Sequence, residues 1–361
     1  MKKRMISLIM AMVMCFSLLP ITARAANPVY LAIGDSITTG YKSDTEKVSQ
    51  PFANQLAQAE GYDLTNLSAD GETSLTLLGK LMDDGSEISQ KLPDADLITI
   101  TIGGNDLMGA LYSFLLRSYN EANPTKPLTL QELMDALKKP AENVFLLLAL
   151  MGYIPDFPGS AEETQALADF ENNLGQILSL IQSKNKDATV ILTTQYNPYS
   201  HITDASAQSI INAFEQSVTK LNQKITASGA TVADVYTPFE EAAAAGQQLT
   251  NAVFDTKNLA NSTLDIHPNQ EGHDKIAQII QGVLPEPQPE HSHPICGASC
   301  THSGSHSAVA WQPLTLNDSG VTNLSDGNYY LEKDEALIGG DIRISGTVNL
   351  CLNGHILDLK G

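Results

Sequence analysis

The sequence predicts an α/β protein, specifically a three-layer α/β/α fold around a doubly wound parallel sheet of five strands. Short apolar runs rich in β-branched residues alternate with longer segments of helical periodicity, as expected for parallel strands joined by crossover helices. Active sites in such sheets lie beyond the carboxyl ends of the strands, so we expect the functional residues directly after the strands. The predicted strands are Val29–Ile33, Leu64–Leu67, Leu97–Ile102, Val190–Thr194 and Thr231–Val235.

Two helices between the later strands are predicted to cover the sheet. The first begins at Ser160, which forms a capping box with Glu163. The second ends at Gly229, a residue type suited to a helix C-terminus. Each has one apolar stripe that would face the core. The stripes are Leu167, Phe170, Leu174, Ile177, Leu178 and Ile181 in the first helix, and Ile211, Phe214, Val218, Leu221 and Ile225 in the second.

Residues 1–25 are predicted to be a cleaved export signal. Three basic residues at positions 2–4 lead into the apolar run Ile6–Leu19, and Ala23-Arg24-Ala25 supplies the small-x-small pattern that a signal peptidase cuts. The alternative is a membrane anchor, but the run has 14 residues where a spanning helix needs about 20. We therefore expect a secreted or cell-surface protein, and the short basic signal is typical of a bacterial one.

Length and charge narrow the function classes. The chain has 361 residues, of which 42% are hydrophobic, enough for one good-sized core and a smaller module. Its net charge is −20 at pH 7, and removal of the predicted signal would take away basic residues and no acidic ones. Binding to nucleic acid or to anionic lipid by charge alone is therefore not expected.

A change of composition predicts a domain boundary after the main domain, which spans residues 26–283. Residues 284–310 form a stiff Pro-containing linker and a Cys/His-rich segment. Residues 311–361 alternate apolar and polar positions, with turn signals at Gly339-Gly340 and Asn353-Gly354, and so predict a partial β-solenoid or a small β-sheet module. Because the pattern is still running at Gly361, we expect this chain to be a fragment of a longer repeat-containing protein.

The Cys/His-rich segment is open to two interpretations. Its spacings are compatible with a zinc site, but an exported protein meets oxidising conditions, which favour a disulfide between Cys296 and Cys300, or free thiols, over zinc. Only Cys351 joins these two after the signal, so disulfides are not the framework of the fold. The potential ligands are His291, His293, Cys296, Cys300, His302 and His306.

Gly34-Asp35-Ser36 directly follows the first predicted strand. A serine in a tight strand-to-helix turn at the carboxyl edge of the sheet is well placed to act as a nucleophile. On this tripeptide alone, a serine that merely caps a helix would explain the pattern equally well. Segments elsewhere in the chain favour the nucleophile.

Two of these segments follow the second and third predicted strands and so reach the same edge as Ser36. The first, residues 66–73, contains Gly71, and the second is Gly103-Gly104-Asn105-Asp106. Attack on an ester creates an oxyanion that needs fixed N–H donors. The backbone amides of Ser36 and Gly71 and the side-chain amide of Asn105 would supply them. Ordinary turn chemistry is the alternative explanation for these glycines.

A general base is also needed, because serine is a poor nucleophile without one. Asp265-Ile266-His267-Pro268-Asn269 lies late in the main domain, ahead of a helical stretch, where His267 could reach Ser36. The other histidines of this domain are His201, expected in a loop, and His273, expected at a helix start or on the surface.

Taken in order, Gly-Asp-Ser, Asn-x-x-x-x-Gly, Gly-Gly-Asn-Asp and Asp-x-His-Pro-Asn-x-x-Gly-His resemble the four blocks of the SGNH (GDSL) hydrolase family, over about residues 28–283. The resemblance implies a three-layer α/β/α fold, no metal or organic cofactor, and hydrolysis of acyl or acetyl esters. It implies that Ser36 is the nucleophile, that Gly71 and Asn105 complete the oxyanion hole, and that His267 is the base. The Cys/His-rich segment is similar to a short module of large surface proteins of anaerobic bacteria.

The chain departs from the family pattern at the triad acid. Many members place it three residues before the histidine, where this chain has Leu264, whereas Asp265 lies two before. Asp265 or a backbone carbonyl would then orient His267. If Asp265 does not, capping or bracing of the loop is its alternative role.

An apolar insertion at residues 107–158 bears on the substrate. It would form a lid or acyl-chain groove, or else helices that pack on the core of the domain. The leading hypothesis is an exported esterase for acyl or lysophospholipid-type esters, a small-molecule or lipid substrate. One alternative is a polysaccharide O-acetyl esterase, with carbohydrate or cell wall bound by the C-terminal module. The other is a cell-surface binding or adhesive protein that carries the hydrolase domain as a passenger.

Overall fold

The computed structural model describes residues 27–43, 45–139, 142–255, 262–263, 265–285, 292–293, 309–317, 320–337, 340–353 and 355–359. The predicted signal, Leu264, Cys296 and Cys300 lie outside these residues, as does most of the Cys/His-rich segment. The chain forms two compact units, Met1–Leu284 and Pro285–Gly361.

The first unit is built on a parallel sheet of five strands, as the sequence predicts. The strands of this unit, in chain order, are β1 (Val29–Gly34), β2 (Tyr41–Ser43), β3 (Glu46–Lys47), β4 (Asp63–Asn66), β5 (Leu97–Thr101), β6 (Thr189–Thr193) and β7 (Thr231–Ala233). The order across the sheet is β4-β1-β5-β6-β7, and β2 and β3 form a separate antiparallel hairpin. Because β4 and β5 leave β1 on opposite sides, a crevice opens beyond the ends of β1 and β5.

Helices cover both faces of this sheet and complete the predicted three layers. The helices of this unit, in chain order, are α1 (Ser36–Thr39), α2 (Phe52–Glu60), α3 (Ser74–Met82), α4 (Glu87–Lys91), α5 (Gly104–Ala122), α6 (Leu130–Lys138), α7 (Val144–Met151), α8 (Ala161–Lys184), α9 (Gln208–Thr226), α10 (Tyr236–Ala244) and α11 (Gln270–Gln281). Alternate residues of β1 point to opposite layers. Leu31 and Ile33 pack with α3, α4, α8 and α9, whereas Tyr30 and Ala32 pack with α2, α10 and α11.

The N-terminus of α8 differs from the predicted capping box in one bond. Ser160 caps the helix by accepting from the amide of Glu163 at 3.1 Å, as expected. The Glu163 carboxylate, however, accepts from the amide of Gly159 and not of Ser160. It also accepts from the hydroxyl of Ser217 at 2.6 Å and pairs with Lys220, so this buried charge holds α8 to α9.

The described part of residues 107–158 contains the rest of α5, then α6, α7 and the 3₁₀ turn Ile154–Asp156. The helix begins three residues before the predicted insertion, directly after Gly103. Their apolar side chains make a core of their own, centred on Leu111, Phe114, Leu115, Leu133, Leu150 and Phe157. No single helix among the described residues is long and apolar enough to cross a membrane. Val144–Asp156 and Ala161–Lys184 reach that length and composition only as a pair bent by 67°.

The second unit is rich in β-structure, as predicted. Its strands are β8 (Ser292–His293), β9 (Val309–Ala310), β10 (Gln312–Pro313), β11 (Val321–Leu324), β12 (Gly327–Tyr330), β13 (Glu335–Leu337), β14 (Asp341–Ile344), β15 (Val348–Cys351) and β16 (Leu357–Leu359). The strands β11, β12 and β13 pair in parallel with β14, β15 and β16, respectively. Three successive strands that each stack in parallel on the next three have the geometry of two β-solenoid turns.

The end of β1 requires a glycine. Gly34 has a φ of +122°, and a Cβ atom there would lie 2.1 Å from the carbonyl oxygen of Thr101 at the end of β5. The next amide, that of Asp35, donates to this same carbonyl at 3.0 Å. The two strand ends therefore approach more closely than any side chain on residue 34 would permit.

We expect Gly34→Ala to lower the free energy of unfolding by about 3 kcal/mol or more, because a steric clash adds to backbone strain. Gly79→Ala is the matched control, since Gly79 lies on the exposed side of α3 with open space around its Cβ position. That change should raise the free energy of unfolding by about 0.5–1 kcal/mol. Urea unfolding of both variants measures the difference, and equal effects would refute the close approach.

Candidate active site

The turn after β1 presents Ser36 at the edge of the sheet. Asp35 caps α1 by accepting from the amide of Ile37 at 3.0 Å, and Ser36 is the first residue of that short helix. The Ser36 side chain is buried but lines a cavity. The predicted strand-to-helix turn is therefore present, and it also contains a helix cap, which is Asp35 and not Ser36.

Asp35 is fully buried beneath Ser36. Burial raises the pKa of its carboxyl group to about 6, although hydrogen bonds from the hydroxyl of Thr101 and the amide of Ile37 act in the opposite direction. Because the folded pKa exceeds the ordinary value, this group favours the folded state below pH 4 and disfavours it increasingly as the pH rises to 6. At neutral pH the Asp35 carboxyl group is therefore mostly ionised, and its burial lowers the free energy of unfolding.

His267 bridges Ser36 and Asp265. Its Nε2 lies 2.8 Å from the Oγ of Ser36, and its Nδ1 lies 2.6 Å from Oδ1 of Asp265. The same carboxylate oxygen accepts from the backbone amide of His267 at 3.0 Å. A carboxylate only accepts, so the tautomer with its proton on Nδ1 satisfies both contacts, and the Ser36 hydroxyl donates to Nε2. Of the two orienting groups left open by the sequence, Asp265 makes the contact.

The loop that carries this pair is held at both ends. The amide of Asn251 donates to the carbonyl of His267 at 2.9 Å, and Val253 and Thr263 exchange two backbone hydrogen bonds. Just after the histidine, Asn269 caps α11 by accepting from the amide of Gly272 at 2.9 Å. The backbone on either side of His267 is therefore fixed before substrate binds, as preorganisation requires.

Gly71 and Asn105 line the same cavity as Ser36 and His267, so they lie at the same edge of the sheet, where the sequence predicts them. Gly71 has a φ of +77°, and its backbone amide and that of Ser36 donate to no other residue within the described ranges. Asn105, in the first turn of α5, uses one N–H of its side-chain amide on the carbonyl of Glu72 at 2.9 Å. This contact ties the Gly71 turn to α5 and leaves the second N–H for a ligand.

Tyr41 is a neighbour of the site that the sequence motifs do not indicate. Its ring centroid lies 4.5 Å from that of His267, in a tilted arrangement. Lys47 lies over the Tyr41 ring, with its Nζ 5.6 Å from the ring centroid. It also forms an ion pair with Asp70, the residue before Gly71. The β2–β3 hairpin therefore supports the imidazole. The sequence shows only that Tyr41 is an aromatic residue five positions after Ser36. Its role could not be predicted, because that role depends on a contact with a histidine far away in the chain.

A largely apolar cavity of about 850 Å³ contains Ser36, Gly71, Asn105, Asp265 and His267 on its wall. This volume lies within the range of about 300–1,000 Å³ that is common for small-molecule sites. A smaller chamber of about 70 Å³ shares the Ser36, Asn105 and His267 wall. The apolar lining of the main cavity includes Met108, Leu111, Leu115, Leu147, Leu150 and Phe214.

This lining bears on the two roles left open for residues 107–158. Leu111, Leu115 and Leu150 belong to a buried cluster and also line the cavity. The segment therefore both packs as a core and lines the cavity that contains Ser36 and His267. Phe214 of α9, which the sequence assigned to a core stripe, also lines this space and contacts Tyr199 edge to face at 4.8 Å.

The other two histidines lie outside the Ser36 contact. His201 contacts the carbonyl of Ala252 through Nε2 at 2.9 Å. His273 was expected at a helix start or on the surface, and it is in the first turns of α11 but fully buried against Phe52. Burial lowers its pKa to about 4. Among the described residues, no three His, Cys, Asp or Glu side chains are arranged to hold a metal ion.

A Ser-His-Asp hydrogen-bonded chain at the edge of a parallel α/β/α sheet, with backbone and side-chain N–H groups beside it, is an arrangement that serine hydrolases use. The sequence matches the GDSL-like Lipase/Acylhydrolase family over residues 32–275, and the chain belongs to this family. It is therefore a hydrolase of the SGNH/GDSL type, as the sequence blocks predicted.

Individual relatives are more distant. The uncharacterised protein YpmR of Bacillus subtilis (strain 168) is 25% identical over 268 residues, which are 73% of this chain and 84% of that protein. Phospholipase A1 from Streptomyces albidoflavus NA297 is 16% identical with a TM-score of 0.45, covering 72% of this chain and all of that one. A mutant of Axe2, an acetyl-xylooligosaccharide esterase from Geobacillus Stearmophilus, is 17% identical with a TM-score of 0.41, covering 71% and 94%.

If Asp265 orients His267, Asp265→Asn should lower kcat/KM for an aryl ester by up to about 10,000-fold, because the amide favours the wrong imidazole tautomer. Asp187→Asn makes the same chemical change at an exposed ion pair with Lys186 and should leave kcat/KM unaltered. Steady-state kinetics on both folded variants provide the comparison. A loss of less than about 10-fold in Asp265→Asn would contradict the orienting role.

Proposed function

We propose that this chain is a serine carboxylesterase for medium-chain or long-chain acyl esters, including lysophospholipid-type esters, and that it acts through an acyl-enzyme on Ser36. The observation that supports this proposal most directly is the chain of hydrogen bonds from Ser36 through His267 to Asp265, at 2.8 and 2.6 Å, on the wall of a largely apolar cavity. The proposed setting is outside the cell, on the basis of the apolar segment Ile6–Leu19 and the cleavage pattern after it.

In the acylation step, Ser36 Oγ attacks the carbonyl carbon of the ester and its proton passes to His267 Nε2. The carbonyl oxygen becomes an oxyanion, which accepts from the amides of Ser36 and Gly71 and from the free N–H of Asn105. Each such donor stabilises the transition state by about 3 kcal/mol. When the tetrahedral intermediate collapses, the C–O bond to the alcohol breaks and His267 returns its proton to the leaving oxygen.

Deacylation repeats these steps with water as the nucleophile. His267 takes a proton from water, the hydroxide adds to the acyl carbon, and the bond to Ser36 Oγ breaks as the proton returns to that oxygen. Asp265 carries its negative charge throughout and stabilises the imidazolium that forms in each half-reaction. The products are a carboxylic acid and the alcohol, and Ser36 is regenerated.

The cavity is the basis for choosing the acyl group. Its wall is lined by leucine, methionine, isoleucine and phenylalanine side chains, and each methylene group transferred from water to such a wall contributes about 0.8 kcal/mol. Deacetylation of polysaccharides, the rival reaction, would leave most of the 850 Å³ cavity unused by an acetyl group. Its supporting result would be a strict preference for acetyl esters.

We expect Ser36→Ala and His267→Ala each to remove nearly all esterase activity, because the nucleophile and the base act as one unit. A fluorophosphonate probe should label the wild-type chain and fail to label Ser36→Ala, as measured by intact mass. Ser89→Ala, at a buried serine on α4, is the control and should be labelled like the wild type. Absence of labelling in the folded wild type would overturn the proposed function.

The cavity also predicts a dependence on chain length. The kcat/KM for aryl esters should rise from acetyl to hexanoyl or octanoyl by roughly 50-fold to 200-fold, the effect of three or four buried methylene groups. Steady-state rates across the ester series, each below its micelle concentration, measure this trend. A maximum at acetyl would reject the proposed substrate class and support the deacetylation alternative.

One substitution tests whether the acyl chain enters the small chamber beside Ser36. Ala213 of α9 lines the small chamber beside Ser36, so Ala213→Leu should flatten the rise with chain length and spare acetyl turnover. Ala244→Leu, on the exposed side of α10, should leave the trend unaltered. Equal trends in both variants would show that the acyl chain does not enter this chamber.

A further inference from the structure

The helix α7 has no polar side chain on any face. Its sequence from Val144 to Met151 is Val-Phe-Leu-Leu-Leu-Ala-Leu-Met. A helix on the surface of a protein in water normally shows polar residues on its outer face, and a helix that is apolar all round is normally buried. Only Leu147 and Leu150 of α7 are buried, whereas Phe145 is 90% exposed and Leu148 is 47% exposed. This surface therefore lacks the apolar contact that its composition favours.

The position of α7 connects this exposed surface with the active site. Leu147, Leu150 and Met151 line the same cavity as Ser36 and His267. A helix of this length extends about 12 Å and is about 10 Å across, so its exposed residues lie on the outer side of the cavity wall. One face of α7 thus meets whatever occupies the cavity, and the other meets whatever lies outside that wall.

We propose that the exposed face of α7, formed by Phe145, Leu148 and Ala149, docks on the surface of a neutral or zwitterionic lipid aggregate from which the enzyme takes its acyl ester. This inference rests on the proposed function and assigns the physical form of the substrate. The acyl chains of the aggregate are apolar in the same way as the cavity lining, so the two faces of α7 are suited to one class of ligand.

Charge and length select this partner from others. The chain carries a net charge of −20, which opposes an anionic lipid surface, and the face of α7 carries no charged side chain, so it suits an uncharged or zwitterionic one. Eight residues are far too short to cross a bilayer, so the helix lies at the interface with its apolar side chains inserted by about 5–10 Å.

The test uses the full chain and two matched variants. Phe145→Ser removes the one aromatic ring of α7. Met82→Ser makes a similar apolar-to-polar change at the end of α3, where Met82 is 65% exposed. Binding is measured by sedimentation with vesicles of a dialkyl ether phosphatidylcholine, which contains no ester to hydrolyse. Activity on a soluble aryl butyrate is measured in parallel.

The wild-type chain should partition into the vesicle pellet, and Phe145→Ser should weaken this partitioning by about 10-fold, the effect expected when a phenylalanine ring is no longer buried in lipid. Met82→Ser should bind like the wild type. Both variants should hydrolyse the soluble ester at the wild-type rate, which also shows that they fold.

Three results would overturn the docking surface: no partitioning of the wild type, equal weakening in both variants, or a wild-type dimer that Phe145→Ser dissociates. The last would assign this face to a second copy of the chain. Failure of the proposed function would give a different result. The wild type would then not hydrolyse the soluble ester, and this outcome does not depend on the vesicle-binding measurement.

Discussion

The arrangement of the site depends on the close approach of the ends of β1 and β5. Gly34 permits it, because a Cβ atom would meet the carbonyl of Thr101 at 2.1 Å, and the amide of Asp35 then donates to that carbonyl. These strands are neighbours where the chain order of the sheet reverses, so the turns that follow them open into one crevice. Ser36 and Asn105 consequently lie on the wall of the same cavity although 69 residues separate them.

His267 reaches this crevice from the other end of the domain. His267 lies 231 residues after Ser36, and its loop is anchored by backbone bonds to Asn251 and by the cap on α11. Tyr41 packs on its ring from the hairpin directly after α1. The imidazole is thus held by groups from early and late parts of the chain, and its orientation does not await the substrate. The turn that carries Ser36 has a cost in stability of its own, because burial raises the pKa of the Asp35 carboxyl group to about 6.

The sheet and the segment 107–158 make different contributions. The segments after β1, β4 and β5 place Ser36, Gly71 and Asn105 on the cavity wall, whereas α5 and α7 supply much of its apolar lining. The same leucines stabilise the segment as a separate core and shape the cavity. Because core packing and the cavity wall share these side chains, substitutions at Leu111 or Leu150 would alter the stability of the segment and the shape of the cavity together.

The sequence by itself determined the α/β class and the five strands, and it predicted Ser36, Gly71, Asn105 and His267 as site residues, because strand periodicity and the turns after strands are local features. Tertiary structure decided the rest, because it depends on contacts between residues far apart in the chain. It showed that Asp265 contacts His267, that His273 is buried against Phe52, that the Glu163 carboxylate accepts from the amide of Gly159, and that Tyr41 packs against the imidazole. An apolar segment predicts burial, but only packing decides whether it faces a core, a cavity or solvent, and α7 faces all three.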